Sequence, residues 1–242
     1  MPYFESRLPV DFDNLKDIQK RLKFCEMLGI KNVILEPKNN LVVIPNKMKK
    51  FLKEELKLNL FYRVNLRIDN LENFKKRIKD FNNFFDILSI ESLNKEIQLI
   101  AAKDSRVDII SFSNPEILKT ITPGIISLTI QNNSFIEFSL APIMVRNKAI
   151  QSKNFRILYR FIHLALKLKA NCIISGNFDD IYDFRNPRAL ISICNSLIGI
   201  PLNTAKKIFS KNPRLLLERI NRQNINYFES EVKLIEGRDY DG

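Results

Sequence analysis

The sequence is poor in cysteine and has no long apolar run. Its three cysteines, Cys25, Cys172 and Cys194, lie far apart in apolar stretches, and an odd number without short spacings argues against a disulfide framework or a zinc knuckle. The longest uncharged stretches, at residues 120–136 and 189–205, are broken by proline, glycine or asparagine, and the amino terminus lacks a secretory pattern. We therefore expect reduced core thiols, no membrane association and a soluble, cytoplasmic protein.

Acidic side chains are absent between Phe138 and Phe178. The longer stretch from Phe138 to Leu217 contains thirteen Lys or Arg residues and only three acids, so it holds ten of the chain's twelve excess positive charges. A surface of one sign repels itself unless it meets a polyanion. The pattern predicts an anion-binding surface, and nucleic acid is its leading ligand.

Short β-branched or aromatic-rich segments alternate with helix-period segments along the chain. Such alternation is typical of βαβ units and of a mostly parallel sheet. The 242 residues suit one large α/β domain or two small ones, and no break in composition favours two. Six or seven alternations followed by extra helices favour a (β/α) barrel over an open sheet. We predict one barrel domain over residues 1–228 and an acidic, flexible tail over residues 229–242.

The individual elements follow from hydrophobic period and turn residues. The predicted strands are Val33–Glu36, Leu60–Ile68, Phe85–Ile90, Val107–Phe112, Phe135–Leu140 and Asn171–Ser175. The predicted helices are Asp13–Leu28, Asn46–Lys57, Leu71–Phe81, Leu93–Lys103, Asn154–Lys169, Pro187–Leu197, Asn203–Ser210 and Pro213–Arg222. Asn-Pro pairs at Asn114, Asn186 and Asn212 each predict a helix start, because asparagine caps free N–H groups and proline suits the first helical position.

A basic stripe marks the helix predicted over Asn154–Lys169. Apolar residues occupy one arc of this helix at 100° per residue. The opposite side carries Lys153, Arg156, Arg160, His163 and Lys167. Like charges one turn apart cost about 0.2–0.5 kcal/mol per pair, and a phosphate backbone would remove that cost. The alternative is an ordinary solvated helix face.

The loop that follows the strand ending at Ser175 is a second candidate for anion binding. It passes Gly176 and reaches the Asn186-Pro187 helix start, which places Arg185 and Arg188 beside the positive end of a helix. That arrangement suits a phosphate. The alternative is a structural loop in which Asp183 pairs with an arginine and caps the turn.

Several of these motifs resemble the ribonuclease P protein component 3 family, the archaeal homologues of the eukaryotic thirty-kilodalton ribonuclease P subunit. The similar segments are Ile173–Gly176, Tyr182–Arg188, Leu197–Ile200 leading to Ala205, Asn212-Pro213 and Asp104–Phe112. The resemblance spans essentially the whole chain and is strongest between Val107 and Leu217. Tyr3–Pro9 matches the family's first strand poorly, and Phe184 stands where leucine is usual.

The resemblance implies a degenerate triose-phosphate-isomerase-like (TIM-like) barrel, related to the metal-dependent phosphoesterases of the polymerase-and-histidinol-phosphatase class but without their metal site. The residues agree, because such a site needs several histidines and this chain has only His163. The resemblance also implies that a separate RNA subunit, with its own magnesium ions, removes the 5′ leader of precursor tRNA. The protein would pair with a ferredoxin-like subunit and stabilise the catalytic RNA, as a non-catalytic part of an endoribonuclease with no cofactor of its own.

The expected role of this chain is to neutralise phosphates, for which arginine is favoured where two hydrogen bonds to one phosphate matter. The side chains expected to do so are Arg106, Arg146, Arg156, Arg160, Arg185, Arg188, Lys206, Lys207 and Lys211.

Two other functions stay open at this point. A metal-dependent phosphoesterase on a related barrel could use Asp179, Asp180 and Asp183 with Glu137 or Glu36, because carboxylates alone can hold magnesium. A sugar-phosphate enzyme could bind its ligand in a phosphate site at Ser175-Gly176, at the carboxyl end of a strand.

Overall fold

The computed structural model describes residues 2–39, 44–55, 57–82 and 84–236. In this part of the chain, seven parallel strands follow one another in sequence order around a nearly closed barrel, which confirms the predicted TIM-like fold. The strands are β1 (Phe4–Val10), β2 (Asn32–Pro37), β3 (Asn59–Arg67), β4 (Ile87–Glu91), β5 (Ile109–Phe112), β6 (Phe135–Ser139) and β7 (Cys172–Ser175).

The sequence predicts β2 to β7 within two residues at each end, but it does not predict β1. In β1 the apolar residues Phe4, Leu8 and Val10 alternate with the charged residues Glu5 and Arg7, and all of them are buried. Because charged residues occupy the side that faces the barrel interior, the segment lacks the apolar pattern from which a strand is predicted.

Helices cover the outside of the barrel. Within the described residues they are α1 (Leu15–Met27), α2 (Asn46–Glu55), α3 (Leu71–Arg77), α4 (Lys95–Lys103), α5 (Pro115–Leu118), α6 (Pro123–Gln131), α7 (Lys148–Lys167), α8 (Pro187–Ser196), α9 (Leu202–Phe209) and α10 (Lys211–Glu236). Helix α6 was not predicted, although Thr122 caps it and Pro123 occupies its first position. Helix α7 begins six residues earlier than predicted because Asn147 caps it, accepting hydrogen bonds from the N–H groups of Ala149 and Ile150.

Two of the three Asn-Pro pairs start helices as predicted. Asn114 Oδ1 accepts hydrogen bonds from the N–H groups of Glu116 and Ile117, both at 3.0 Å, and Asn186 Oδ1 accepts one from Arg188 N at 2.9 Å. The prediction for Asn212 is wrong. Helix α10 already begins at Lys211, and Asn212 Nδ2 donates to the carbonyl oxygen of Cys172 at 2.7 Å. This asparagine joins α10 to the start of β7 instead of capping a helix.

Helix α10 closes the end of the barrel at which the strands begin. Leu216 and Ile220 are buried against apolar residues near the amino ends of five strands: Ile34, Ile87, Ile109, Phe135 and Ile173. Arg219 Nε lies 3.1 Å from Asp108 Oδ1, beside the start of β5. The helix spans Lys211–Glu236 and so runs across residue 229, whereas residues 237–242 lie outside the described part. The division into a barrel and a tail stays a prediction.

The structure confirms that the three cysteines are core thiols. All three cysteines are buried and unpaired, and burial raises the pKa of Cys172 and of Cys194 to about 12, so both thiols are protonated at neutral pH. In the described part of the chain, no helix has both the length and the apolar composition needed to cross a bilayer.

A side chain joins the barrel where β1 meets β7. The two strands lie side by side, but no backbone ladder between them is found in the described residues. Instead, Glu5 Oε1 accepts hydrogen bonds from Gly176 N at 3.0 Å and from Arg7 N at 3.2 Å. A Cβ atom at Gly176 would lie 2.8 Å from Glu5 Oε2 and 2.7 Å from Phe178 Cε2. Glycine is therefore required at position 176 by the close approach of the Glu5 and Phe178 side chains.

Replacing Gly176 with alanine is expected to lower the free energy of unfolding by about 1–3 kcal/mol, because the added methyl group overpacks this junction. Chemical denaturation would measure the loss. The matched control is Gly124→Ala, whose Cβ would have its nearest neighbour at 3.7 Å, an ordinary contact. Equal stability of the two variants would contradict the role assigned to Gly176.

Candidate nucleic-acid interface

Helix α7 carries its basic residues on the exposed face, as predicted. Its buried face is largely apolar, and the exposed cations of the predicted stripe are Lys153, Arg156, Arg160 and Lys167, while Lys148 is also exposed at the start of the helix. None of these four has a carboxylate within ion-pair distance among the side chains that the structure describes. The Arg160 guanidinium instead lies 5.5 Å from the ring centroid of Phe161. The positive charge of this face is therefore left for an external anion.

His163 does not share this exposed position, and the expectation that it faces outward with the stripe is wrong. Its side chain is half-buried, and Nε2 lies 2.7 Å from the carbonyl oxygen of Ile198. Because a carbonyl only accepts, Nε2 carries the proton and donates. His163 therefore ties α7 to the turn between α8 and α9.

The loop after β7 leads into α8 at Asn186-Pro187 as predicted, but its internal contacts differ from those of the structural alternative. Arg185 is half-buried, and its Nη1 donates to the carbonyl oxygens of Tyr182 and Phe184, at 2.6 and 2.8 Å. The turn is capped by Asp180, whose Oδ1 accepts from Tyr182 N at 3.0 Å, and not by Asp183. Arg185 thus stabilises the loop, and its remaining N–H groups are those left for a ligand.

The predicted cations beyond this loop are exposed. They are Arg188 in α8, Lys206 and Lys207 in α9, and Lys211 at the start of α10. Helix α9 packs against α8, α10 and β7, so these side chains occupy adjoining elements. Among the described side chains, no carboxylate pairs with any of them. These exposed cations thus lie on adjoining elements, and the hydrogen bond of His163 to Ile198 links the turn between α8 and α9 to α7.

The two remaining predicted residues differ from each other. Arg146 is exposed in the segment before α7. Arg106 is half-buried and makes hydrogen bonds to Asp104 and to the carbonyl oxygen of Ile78, while its Nη1 lies 2.7 Å from Asn82 Oδ1. These contacts hold the segment before β5, so Arg106 has a structural partner for most of its donors.

The barrel interior contains buried ion pairs that the sequence did not suggest. Arg63 donates two hydrogen bonds to the Glu137 carboxylate, at 2.8 and 3.0 Å, and Arg7 Nη2 lies 2.9 Å from both Glu36 Oε1 and Glu91 Oε2. Both arginines are fully buried. Glu36 Oε2 also lies 2.9 Å from Arg7 Nε and 3.1 Å from Arg63 Nε, without hydrogen-bond alignment.

A third arginine closes this cluster at the carboxyl ends of the strands. Arg67 is 48% exposed, and its Nη2 lies 2.9 Å from Glu36 Oε1. Three arginines therefore balance three glutamates: Arg7, Arg63 and Arg67 against Glu36, Glu91 and Glu137. Burial alone would raise the pKa of Glu137, but Arg63 and Arg7 outweigh it and lower that pKa, so the carboxylate stays ionised.

Three of the five carboxylates of the phosphoesterase alternative already pair with cations. Glu36 and Glu137 are bound to arginines inside the barrel, while Asp179 is 83% exposed in the loop after β7 and lies 3.0 Å from Lys38 Nζ. Among the described residues, no cluster of histidine, cysteine or acidic side chains is arranged to hold a metal ion.

The phosphate site of the sugar-phosphate alternative is also occupied. The Gly176 N–H group, which would face a phosphate there, donates to Glu5. A phosphate at this point would meet the Glu5 carboxyl group, because the N–H group of Gly176 already donates to it.

Two solved structures superpose on the barrel fold of this chain. The structure of archaeal ribonuclease P with mature tRNA contains a chain that superposes with a TM-score of 0.70 at 17% sequence identity, covering 90% of this chain and 91% of that one. The crystal structure of A. niger ochratoxinase superposes with a TM-score of 0.58 at 8% identity, covering 89% and 71%. At these identities both likenesses concern the fold.

Sequence comparison identifies the family. Ribonuclease P protein component 3 of Methanococcus maripaludis is 23% identical over 187 residues, which are 76% of this chain and 78% of that protein. The family model described as RNase P subunit p30 matches residues 3–224, a range that includes β1. The barrel, its exposed cations and this match agree, and the chain belongs to the RNase P subunit p30 family.

Proposed function

We propose that this chain is a protein subunit of ribonuclease P that binds the catalytic RNA and stabilises it for removal of the 5′ leader from precursor tRNA. The observation that carries the proposal is the family match over residues 3–224. The region of exposed cations on α7 to α10 supports it, because phosphate contacts supply most of the affinity of proteins for RNA backbones.

The finer parts of the proposal concern partners and catalysis. The RNA subunit, with its bound magnesium ions, carries out cleavage, and the protein supplies no nucleophile, general base or metal. A ferredoxin-like protein subunit binds this chain in the particle, precursor tRNA is the substrate of the assembly, and the assembly works in the cytoplasm. The buried and balanced charges of the barrel interior support a non-catalytic role, because they are taken up by one another.

The choice of residues for a test follows from the contacts. Arg185 holds its own loop through the carbonyl oxygens of Tyr182 and Phe184, so a substitution there would disturb local structure as well as charge. Lys206 and Lys207 are both exposed on α9 and are free of ion pairs among the described side chains. Substituting them therefore changes the charge of the surface without disturbing the structure of a loop.

The double variant Lys206→Ala/Lys207→Ala is expected to weaken binding to the cognate ribonuclease P RNA. Each lost phosphate contact should flatten the slope of log affinity against log salt concentration by about 0.7–0.9, because fewer counterions are released. Binding titrations at several salt concentrations measure this slope, and cleavage by the reconstituted particle should fall in parallel.

The control is the double variant Lys75→Ala/Lys76→Ala, which removes two adjacent exposed lysines on α3, between β3 and β4 and so remote in the strand order from β7. It should leave the slope and the cleavage rate unchanged. An unaltered slope together with full reconstituted activity in the double variant would contradict the assigned surface.

A further inference from the structure

Three aromatic rings follow one another along α7, one turn apart. They belong to Phe155, Tyr159 and His163, with ring centroids 6.5 Å apart for the first pair and 4.3 Å apart for the second. Tyr159 is 44% exposed, while Phe155 and His163 are half-buried. Tyr159 thus presents an open ring between two packed ones.

The turn between α8 and α9 braces these rings. His163 donates to the carbonyl oxygen of Ile198, and the next residue, Gly199, has a φ of +73°. A Cβ at Gly199 would lie 3.8 Å from His163 Nε2 and 4.0 Å from Tyr159 Cε2. The backbone therefore approaches the edges of both rings, which limits the rotation of Tyr159 before any ligand binds. A pre-positioned ring loses less entropy on binding.

The charges around Tyr159 favour a polyanion over a basic or apolar protein surface. Arg156 precedes Tyr159 by three residues, a spacing that makes the two neighbours on a helix, and Arg160 adjoins it. From α5, Glu116 faces this helix at its first half: Lys119, and at longer range Lys153, lower the pKa of that carboxyl. No carboxylate is found on α7 itself or in residues 184–217.

We propose that Tyr159 is a platform on which an unpaired RNA base stacks, with Arg156 and Arg160 holding the adjoining phosphates. The inference rests on the proposed function and adds to it the kind of RNA segment bound at this place. Paired bases keep their faces stacked inside a helix, whereas bases of loops and single strands offer a face to an exposed aromatic ring. The Tyr159 surface therefore selects a single-stranded segment.

The first test compares variants of the full chain in binding a single-stranded uridine decamer and the cognate ribonuclease P RNA. Tyr159→Ala should weaken both roughly 5- to 100-fold, as expected for one lost stacking contact, with no change in the salt slope. Tyr159→Phe should keep the wild-type affinity. Arg156→Ala should instead flatten the salt slope by about 0.7–0.9. Phe51→Ala removes an aromatic residue of similar exposure on α2 and serves as the control, with no loss expected.

The second test separates bases from backbone. Wild type and Tyr159→Phe should bind the uridine decamer more tightly than an abasic decamer with the same phosphates, and Tyr159→Ala should bind both equally. Undiminished RNA binding by Tyr159→Ala, or equal binding of both decamers by the wild type, would overturn the inference and leave the RNA-binding function standing. Failure of Tyr159→Ala to bind a partner protein of the particle, with normal RNA binding, would also overturn it. Failure of the wild type to bind the cognate RNA would refute the proposed function itself.

Discussion

Replacing Arg63 with methionine is expected to lower the free energy of unfolding by about 3–5 kcal/mol. Arg63 is fully buried, and its guanidinium donates to both oxygens of Glu137 and to Ser89 Oγ. Methionine fills a similar volume but leaves the buried Glu137 carboxylate with the more distant Arg7 Nη1 at 3.7 Å as its nearest cation. An unpaired buried charge is among the few causes of so large a loss. Chemical denaturation at neutral pH measures it.

The control for this prediction is Arg67→Met in the same strand. Arg67 also pairs with Glu36, but it is 48% exposed, so water can replace part of what is lost. We expect a much smaller loss there. Equal losses in the two variants would mean that burial does not set the strength of these pairs.

The ion pairs inside the barrel occupy three glutamates that could otherwise bind a metal ion. Here Glu36, Glu91 and Glu137 are each bound by an arginine of β1 or β3. A metal cation bound to these glutamates would have to displace a guanidinium that already balances them, so the cluster stabilises the barrel and is closed to metal chemistry.

The strands could be predicted from the sequence where an apolar run lies between turn residues, and β1 lacks such a run. Strands β2 to β7 combine apolar runs with turn residues, which is a local signal. In β1 the inward-facing residues Glu5 and Arg7 are charged, and their partners come from β2, β4 and β7, up to 171 residues away in the sequence. Such partners exist only after folding, so no local pattern marks the strand.

For the basic residues, too, exposure could be predicted from the local sequence, whereas contacts with distant segments could not. Helical periodicity, with an apolar face on the opposite side, predicts the exposure of four cations: Arg156, Arg160, Lys206 and Lys207. The sequence does not predict the hydrogen bonds that Arg106, Arg185 and His163 donate to backbone carbonyl oxygens. Their acceptors lie in turns whose path the sequence does not specify. One signal was present: Arg63, Asn65 and Arg67 alternate along β3, which places three polar side chains on its inner face.

Stability is expected to fall as the pH rises from about 4.5 to 7, and Glu5→Gln should remove much of this fall. Burial, with a smaller effect of the Glu137 charge, raises the pKa of Glu5 to about 7 from 4.5, although backbone N–H groups oppose the shift. The folded state therefore binds a proton that the unfolded state releases in this range, so ionisation of Glu5 above pH 7 destabilises the fold by an amount on the order of 3 kcal/mol. Burial also raises the pKa of Asp108 to about 6, and this adds a decline of the same sign in both proteins.

The comparison that isolates Glu5 uses two glutamines in the same barrel. Glu5→Gln mimics the protonated carboxyl, so its stability should match the wild type near pH 4.5 and exceed it above pH 7. Glu137→Gln changes a carboxyl whose pKa is lowered by Arg63 and Arg7, so it should instead lose stability relative to the wild type at every pH above about 4.5. Unfolding free energies of the three proteins across pH 4.5–8 give two differences of opposite sign. If Glu5→Gln were less stable than the wild type at pH 8, Glu5 would be ionised and well stabilised in its place between β1 and β7.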